Sequence, residues 1–237
     1  MNFYKYVFSQ PYLGWLLTGV LWTLIITVLT TIISLAIGIP AGMMRSSHCR
    51  PAHLVAGLFI TLFRTMPLVP FLLFVVFALP GLVAKLTGLP FPRGMEFYLL
   101  IACLSLNNAG HVAEIFRSGL KAIPGSQIDA ARVLGLNPWQ IFLSVLYPQA
   151  LRISVPALGN RIVHNMKNSS VAVILPLSVD NMEVTGQAAR IAGQTFAWAE
   201  PLLFAGVTYV ALSLLLSKII QRYSEYVGRK APGYADS

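Results

Sequence analysis

Charge is scarce in this chain: Asp, Glu, Lys and Arg together make up 11% of its 237 residues, against 56% apolar residues. A water-soluble domain needs a charged exterior, so this scarcity excludes an ordinary soluble globule and makes lipid the main solvent. Acidic residues are the scarcer sign, eight against seventeen Lys and Arg, which leaves a net charge of +9. In a soluble protein such an excess would suggest nucleic acid; in this one it sets membrane topology. Cysteine is limited to Cys49 and Cys103, the second inside an apolar block, which excludes a disulfide framework. There is no glycine-rich phosphate loop of the G-x-x-x-x-G-K kind, so ATP hydrolysis is not assigned to this chain. Nor is there a serine-nucleophile elbow or a paired-carboxylate site, and no catalytic residue is assigned. His48, Cys49 and His53 lie close together, but one thiol and two imidazoles beside Arg50, with no carboxylate, make a poor ligand set, and no metal is assigned.

Long apolar blocks fill the space that charge leaves. Gly14 to Met44 holds no charged residue, and its 31 residues exceed the roughly 20 that one crossing requires. With Lys5 before it, the block is too long for a signal peptide, and no removed segment is expected. The patterning predicts an all-α membrane protein of about five transmembrane helices over 13–44, 53–84, 96–120, 141–175 and 197–223, forming one membrane domain over 1–237. Arg64, Pro67, Pro70 and Pro80 interrupt the second block, but neighbouring helices in lipid can tolerate them. Neither internal repeats nor low-complexity tracts occur, and the polar tail 231–237 is expected to be disordered.

Basic residues favour cytoplasmic loops, and here they cluster on alternate sides. Arg45 and Arg50 follow the first helix, Lys121 and Arg132 lie between the third and fourth, and Lys218, Arg222, Arg229 and Lys230 follow the fifth. The opposite loops hold Lys85 and Arg93, then Arg190 among Asp180, Glu183 and Glu200. This places the N-terminus outside and the C-terminus in the cytoplasm.

The connector between the third and fourth helices reads IPGSQIDAARVLGLNPWQIFLSVLYPQALR, Ile123 to Arg152, with an elbow over about 123–140. Pro124 and Gly125 break the preceding helix, Ser126 is placed to cap a new one with Asp129 three residues on, and Gly135 ends it. Asn137 is a second cap, with Pro138 at the first helical position and Gln140 at the third. Ala130 and Ala131 offer a small-residue surface for close approach of a partner.

In its order of residues, Asp129-Ala130-Ala131, Gly135, then Leu146-Tyr147-Pro148, the connector resembles the EAA loop of ABC importer permeases. Asp129 stands where Glu is usual, and Tyr147 interrupts the Leu-Pro pair. Phe63 to Leu68, Ala113 to Leu120 and Met166 to Val171 extend the resemblance over nearly the whole chain, to the polar amino-acid branch and glutamate/aspartate permease subunits in particular. The resemblance implies the ABC type I importer permease fold in the bacterial inner membrane. It implies two ABC ATPase subunits that carry the ATP and magnesium, a second permease subunit, identical or similar, and a periplasmic amino-acid-binding protein. Gly125, Ser126, Gln127, Asp129, Ala130, Ala131, Gly135 and Leu136 would then couple to the ATPases.

Polar residues within a membrane are costly and usually face a bundle interior or a water-filled path. In the third helix Asn107, His111, Glu114 and Ser118 recur at i, i+4, i+7 and i+11. In the fourth, Asn160, His164, Lys167 and Asn168 form a second stripe, followed by Ser169. Lining a shared cavity and hydrogen bonding between helices both remain open. An amino acid needs partners for a carboxylate and an ammonium. Arg64, Arg161, Lys167 and Arg190 supply the first, and Glu114 and Glu183 the second. The excess of cations favours an acidic substrate. Leu177 to Phe196 is too polar to cross; Glu183, Gln187 and Arg190 share one helical face there and suit an outer gate or a surface hairpin. The rival reading is a secondary carrier or channel that works without an ATPase, using Glu114 and the histidines for protons.

Overall fold

The computed structural model describes residues 9–47, 49–89, 92 and 94–229, all in helices and connectors, with no strand among the described residues. Lys5, His48, Arg93, Lys230 and the tail 231–237 lie outside them. Five helices are long and apolar enough to cross a membrane: Tyr12–Ser46, Leu68–Thr87, Glu96–Lys121, Pro138–Ile174 and Ala199–Val227. A crossing segment has no water to satisfy its backbone, and helix is the form in which each segment satisfies its own.

Helix α1 is Tyr12–Ser46, unbroken through Pro40. The second apolar block differs from the sequence reading. Instead of one helix over 53–84, α2 spans Arg50–Thr65, stops at Met66 and Pro67, and α3 restarts at Leu68–Leu73. Pro67 disfavours helical geometry at Met66 and has no N–H to give, so it stands as the cap of α3 with φ −61° and ψ 128°. The crossing is therefore Leu68–Thr87, completed by α4, Leu79–Thr87, and α2 is a separate amphipathic helix.

A widened π turn, Phe74–Ala78, joins α3 to α4, and another, Phe142–Leu146, joins α7 to α8. Both precede a proline, Pro80 and Pro148. Each leaves a carbonyl without its usual donor and crowds the preceding turn; opening that turn by one residue relieves both. The remaining helices are α5 Glu96–Lys121, α6 Gly125–Val133, α7 Pro138–Ile141, α8 Tyr147–Asn168 with a tight 3₁₀ end at Ser169–Ile174, α9 Val184–Thr195 and α10 Ala199–Arg229.

Where the sequence reads as one domain, the chain groups into two compact units. The division falls within long helices, which no composition shift marks. Among the described residues, the first unit holds 9–32, 66–89, 92, 94–107 and 162–215. Its larger core gathers Ile26, Leu72, Leu100, Leu104 and Leu175, and a smaller one sets Leu16 against Val184, Ala188 and Ile191 of α9. Thr23, Thr27 and Thr30 are buried along α1, where their hydroxyls donate back to carbonyls one turn earlier. Asn165 of α8 donates to Thr30 Oγ1 at 2.7 Å and to Thr31 Oγ1 at 3.3 Å, tying α8 to α1.

Among the described residues, the second unit holds 33–47, 49–65, 108–161 and 216–229. There α1 and α5 touch through small residues. A Cβ on Gly38 would lie 2.7 Å from the Ala109 carbonyl oxygen, and one on Gly42 2.5 Å from that of Ala113. Two glycines one turn apart let the backbones meet, and packing without a hydrophobic driving force depends on such contact. Beside it, Asn108 Nδ2 donates to Ser34 Oγ at 2.7 Å, and Arg161 Nε donates to Asn108 Oδ1 at 2.6 Å.

Candidate functional site

The elbow between α5 and α8 is built by local chemistry. Pro124, with φ −59° and ψ 137°, occupies the position before α6, so the helix begins at Gly125 and Ser126 is already inside it. No side chain caps α6, which corrects the expected cap at Ser126. Its far end closes as a Schellman motif: the Leu136 N–H reaches the Ala131 carbonyl at 3.2 Å, and the Gly135 N–H reaches that of Arg132 at 2.9 Å. The geometry requires a left-handed residue, and Gly135 has φ +77°. Asn137 and Gln140 then form a reciprocal capping box on α7, each side chain accepting from the other's backbone N–H at 2.9 Å.

Gly125, Ser126, Gln127, Asp129 and Ala130 are exposed, whereas Ala131 turns inward, only 4% exposed. The expected pair of surface alanines is thus a single one, Ala130. Asp129 pairs with Arg132 at 3.2 Å, and Gln149 of α8 donates to Gln127 at 2.7 Å. What the residue pattern did not single out is the apolar surface of the elbow: Val133 is 88% exposed, Leu134 79% and Trp139 64%, with Trp139 stacked on Phe142. A run of large apolar side chains on an otherwise polar connector was the available signal.

The candidate polar residues separate into distinct settings. Arg64 and Glu114 come together at 3.7 Å, and Arg117 clamps the same carboxylate with two hydrogen bonds, Nε to Oε2 at 2.8 Å and Nη2 to Oε1. Ser118 lines a shallow, mainly apolar groove with Ser154 and Ile153. His111 is half-buried, and Asn107 is buried in the first unit. On α8 Asn160, His164 and Lys167 are exposed, whereas Asn168 is half-buried. Arg161 is held at Asn108.

Glu183 does not present itself to an ammonium. It is 1% exposed and caps α9, accepting from the N–H groups of Thr185 at 2.7 Å and Gly186 at 2.8 Å, and from Tyr209 Oη at 2.7 Å. Ser169 lies behind it, 3.4 Å from the same tyrosine hydroxyl. Burial pushes the Glu183 carboxyl above the ordinary carboxylate range, while these donors pull it back down. Gln187 donates to the Val179 carbonyl at 2.8 Å, and Arg190 stacks over Trp15, 3.6 Å from the ring centroid. The shared face of Glu183, Gln187 and Arg190 therefore fastens α9 to its surroundings.

Similarity to known proteins agrees with this architecture. Residues 34–226 match the family described as the inner membrane component of binding-protein-dependent transport systems. The arginine transport system permease protein ArtQ of Bacillus subtilis is 33% identical over 88% of this chain and 90% of its own length. The glutamate/aspartate import permease protein GltK of Escherichia coli is 30% identical over 89% and 92%. A crystal structure of an amino acid ABC transporter with histidines superposes with a TM-score of 0.78 at 29% identity, covering 91% of this chain and 95% of that one. Five apolar helices, a capped elbow between the third and fourth crossings, and a family match over most of the chain make this protein a member of the inner membrane component family of binding-protein-dependent transporters, a non-enzymatic permease with the ABC type I importer fold.

Proposed function

We propose that the chain is the permease subunit of an ATP-driven importer of a polar amino acid, with glutamate or aspartate as the substrate. It would work as a pair with an identical or similar permease, two ABC ATPase subunits and a periplasmic binding protein, with its N-terminus outside and its C-terminus in the cytoplasm. The observation that carries the reading is the elbow: Val133, Leu134 and Trp139 stand exposed around a rigid double-capped joint. Exposed apolar side chains on a polar connector suit burial in a partner's groove. ATPase closure would push on α6 and α7 and be passed to α5 and α8, between which the joint is spliced.

Asn160, His164 and Lys167 support the second permease. They lie exposed on a helix that crosses the membrane, where lipid is an unfavourable neighbour, and a facing subunit would cover them and complete a polar path. The acidic substrate is supported by the excess of cations in the spans and by the likeness to GltK. Uptake of labelled glutamate, glutamine and arginine by cells expressing the full system tests it. Glutamate is expected to enter fastest; preferential arginine uptake would retire the acidic reading, and no uptake of any of the three would retire the amino acid.

A further inference from the structure

Four basic side chains and one carboxylate line a single basin in the second unit: Arg45, Arg64, Arg117 and Lys121 with Glu114, together with His53. Counting only the four basic side chains and the carboxylate, four positive charges less one negative leave +3. Glu114 is already committed, held in the two-pronged grip of Arg117 and 3.7 Å from Arg64. Arg45 is held in place, its Nη1 donating to the His53 carbonyl at 3.0 Å while its guanidinium packs against Gly57, where a Cβ would come within 2.6 Å of it. Lys121, in the last turn of α5, is exposed and makes no ion pair among the described residues.

A zwitterionic amino acid fits this basin badly, because an ammonium would meet three uncompensated positive charges and no free carboxylate. A phosphate fits it well: several oxygens can be shared among guanidinium forks and a lysine. We propose that the basin binds a phosphate group, carried either by an anionic phospholipid headgroup or by a free phosphate. Arg45 and Lys121 close the last turns of α1 and α5, at the ends of two crossing helices where headgroups and solvent both reach. Basic pockets of this kind between membrane helices recognise anionic headgroups. Only the choice of leaflet rests on the orientation proposed above; binding itself does not.

The test is calorimetric titration of the purified protein, with the subunits it brings with it, using dioctanoyl phosphatidylglycerol, inorganic phosphate and glutamate as separate probes. Saturable binding of phosphatidylglycerol alone assigns the lipid source, and binding of inorganic phosphate as tightly assigns the free one. At about 1 kcal/mol per basic residue, Arg45→Gln with Lys121→Gln should weaken binding about thirtyfold, and Lys121→Gln alone about fivefold. The exposed position of Lys121 keeps the single variant folded if the double one is not, and Lys121→Arg should restore binding. Equal affinity in wild type and Lys121→Gln, saturable binding of neither phosphate compound, or charge-dependent binding of glutamate alone would each overturn the proposal. Because uptake is not measured, such a failure leaves the transport reading intact, and a failure of uptake leaves this one intact.

Discussion

Replacing Gly135 by leucine is expected to leave the protein folded and inserted while abolishing substrate-stimulated ATP hydrolysis by the assembled transporter. The added Cβ meets nothing within 4 Å, so there is no clash to unfold the protein. The cost is conformational, about 1–2 kcal/mol for a side chain held at φ +77°. The elbow can escape it only by leaving the left-handed conformation, and that dissolves the Schellman turn fixing α6 against α7. Val133 and Leu134 would no longer be held in a fixed place relative to Trp139, and a joint that bends cannot transmit a push. Gly135→Asn, which tolerates the left-handed region, should keep most of the coupling. Measuring ATPase stimulation by the loaded binding protein distinguishes the two variants; full stimulation in the leucine variant would count against a rigid joint.

The other large effect belongs to packing. Gly42→Leu is expected to remove most of the folded protein from detergent extracts, because even its Cβ would lie 2.5 Å from the Ala113 carbonyl oxygen, and the rest of the side chain has no room. Overpacking costs about 1–3 kcal/mol when a core can shift. Here the obstacle is backbone, so α1 must move off α5 and carry Gly38 and the Ser34–Asn108 bond with it. Against a total stability of about 5–15 kcal/mol, that loss is severe. Gly42→Ala should lie between, and Gly81→Leu, with open space around it, should behave as wild type. Size-exclusion yield and thermal unfolding check the series; a normal yield for Gly42→Leu would show that this contact does not hold α1 to α5.

The fold class was legible because lipid forbids alternatives: charge-free runs longer than a bilayer have one available backbone form. The second block departs from its sequence reading because Pro67 is more than a tolerable kink: it acts through the residue before it and ends α2 at Thr65. In the connector, Asn137 with Gln140 reads correctly because a capping box is local. Ser126 fails as a cap because the fixed φ of Pro124 puts the start of α6 two residues earlier than the side-chain pattern suggests.

Residues that hold the helices together were harder to see. Thr23, Thr27, Thr30 and Ser34 follow the same i, i+4, i+7, i+11 spacing as the stripe in α5, but uncharged threonine and serine do not interrupt a block defined by its lack of charge. Asn165 lies off the polar stripe of α8, and its importance comes from the helix it faces, which periodicity within α8 does not encode. Glu183 reads as a free charge in the sequence because its partners are two backbone amides and a tyrosine 26 residues away.

The central claim is that this membrane subunit moves its substrate only when force generated on separate ATPases reaches it through the elbow. Purified protein sealed in vesicles, with and without its ATPase partners, tests it directly by accumulation of labelled substrate. Uptake against a gradient should require the ATPases, ATP and the binding protein together. Accumulation by the permease alone, without nucleotide, would contradict the account and favour a self-contained carrier.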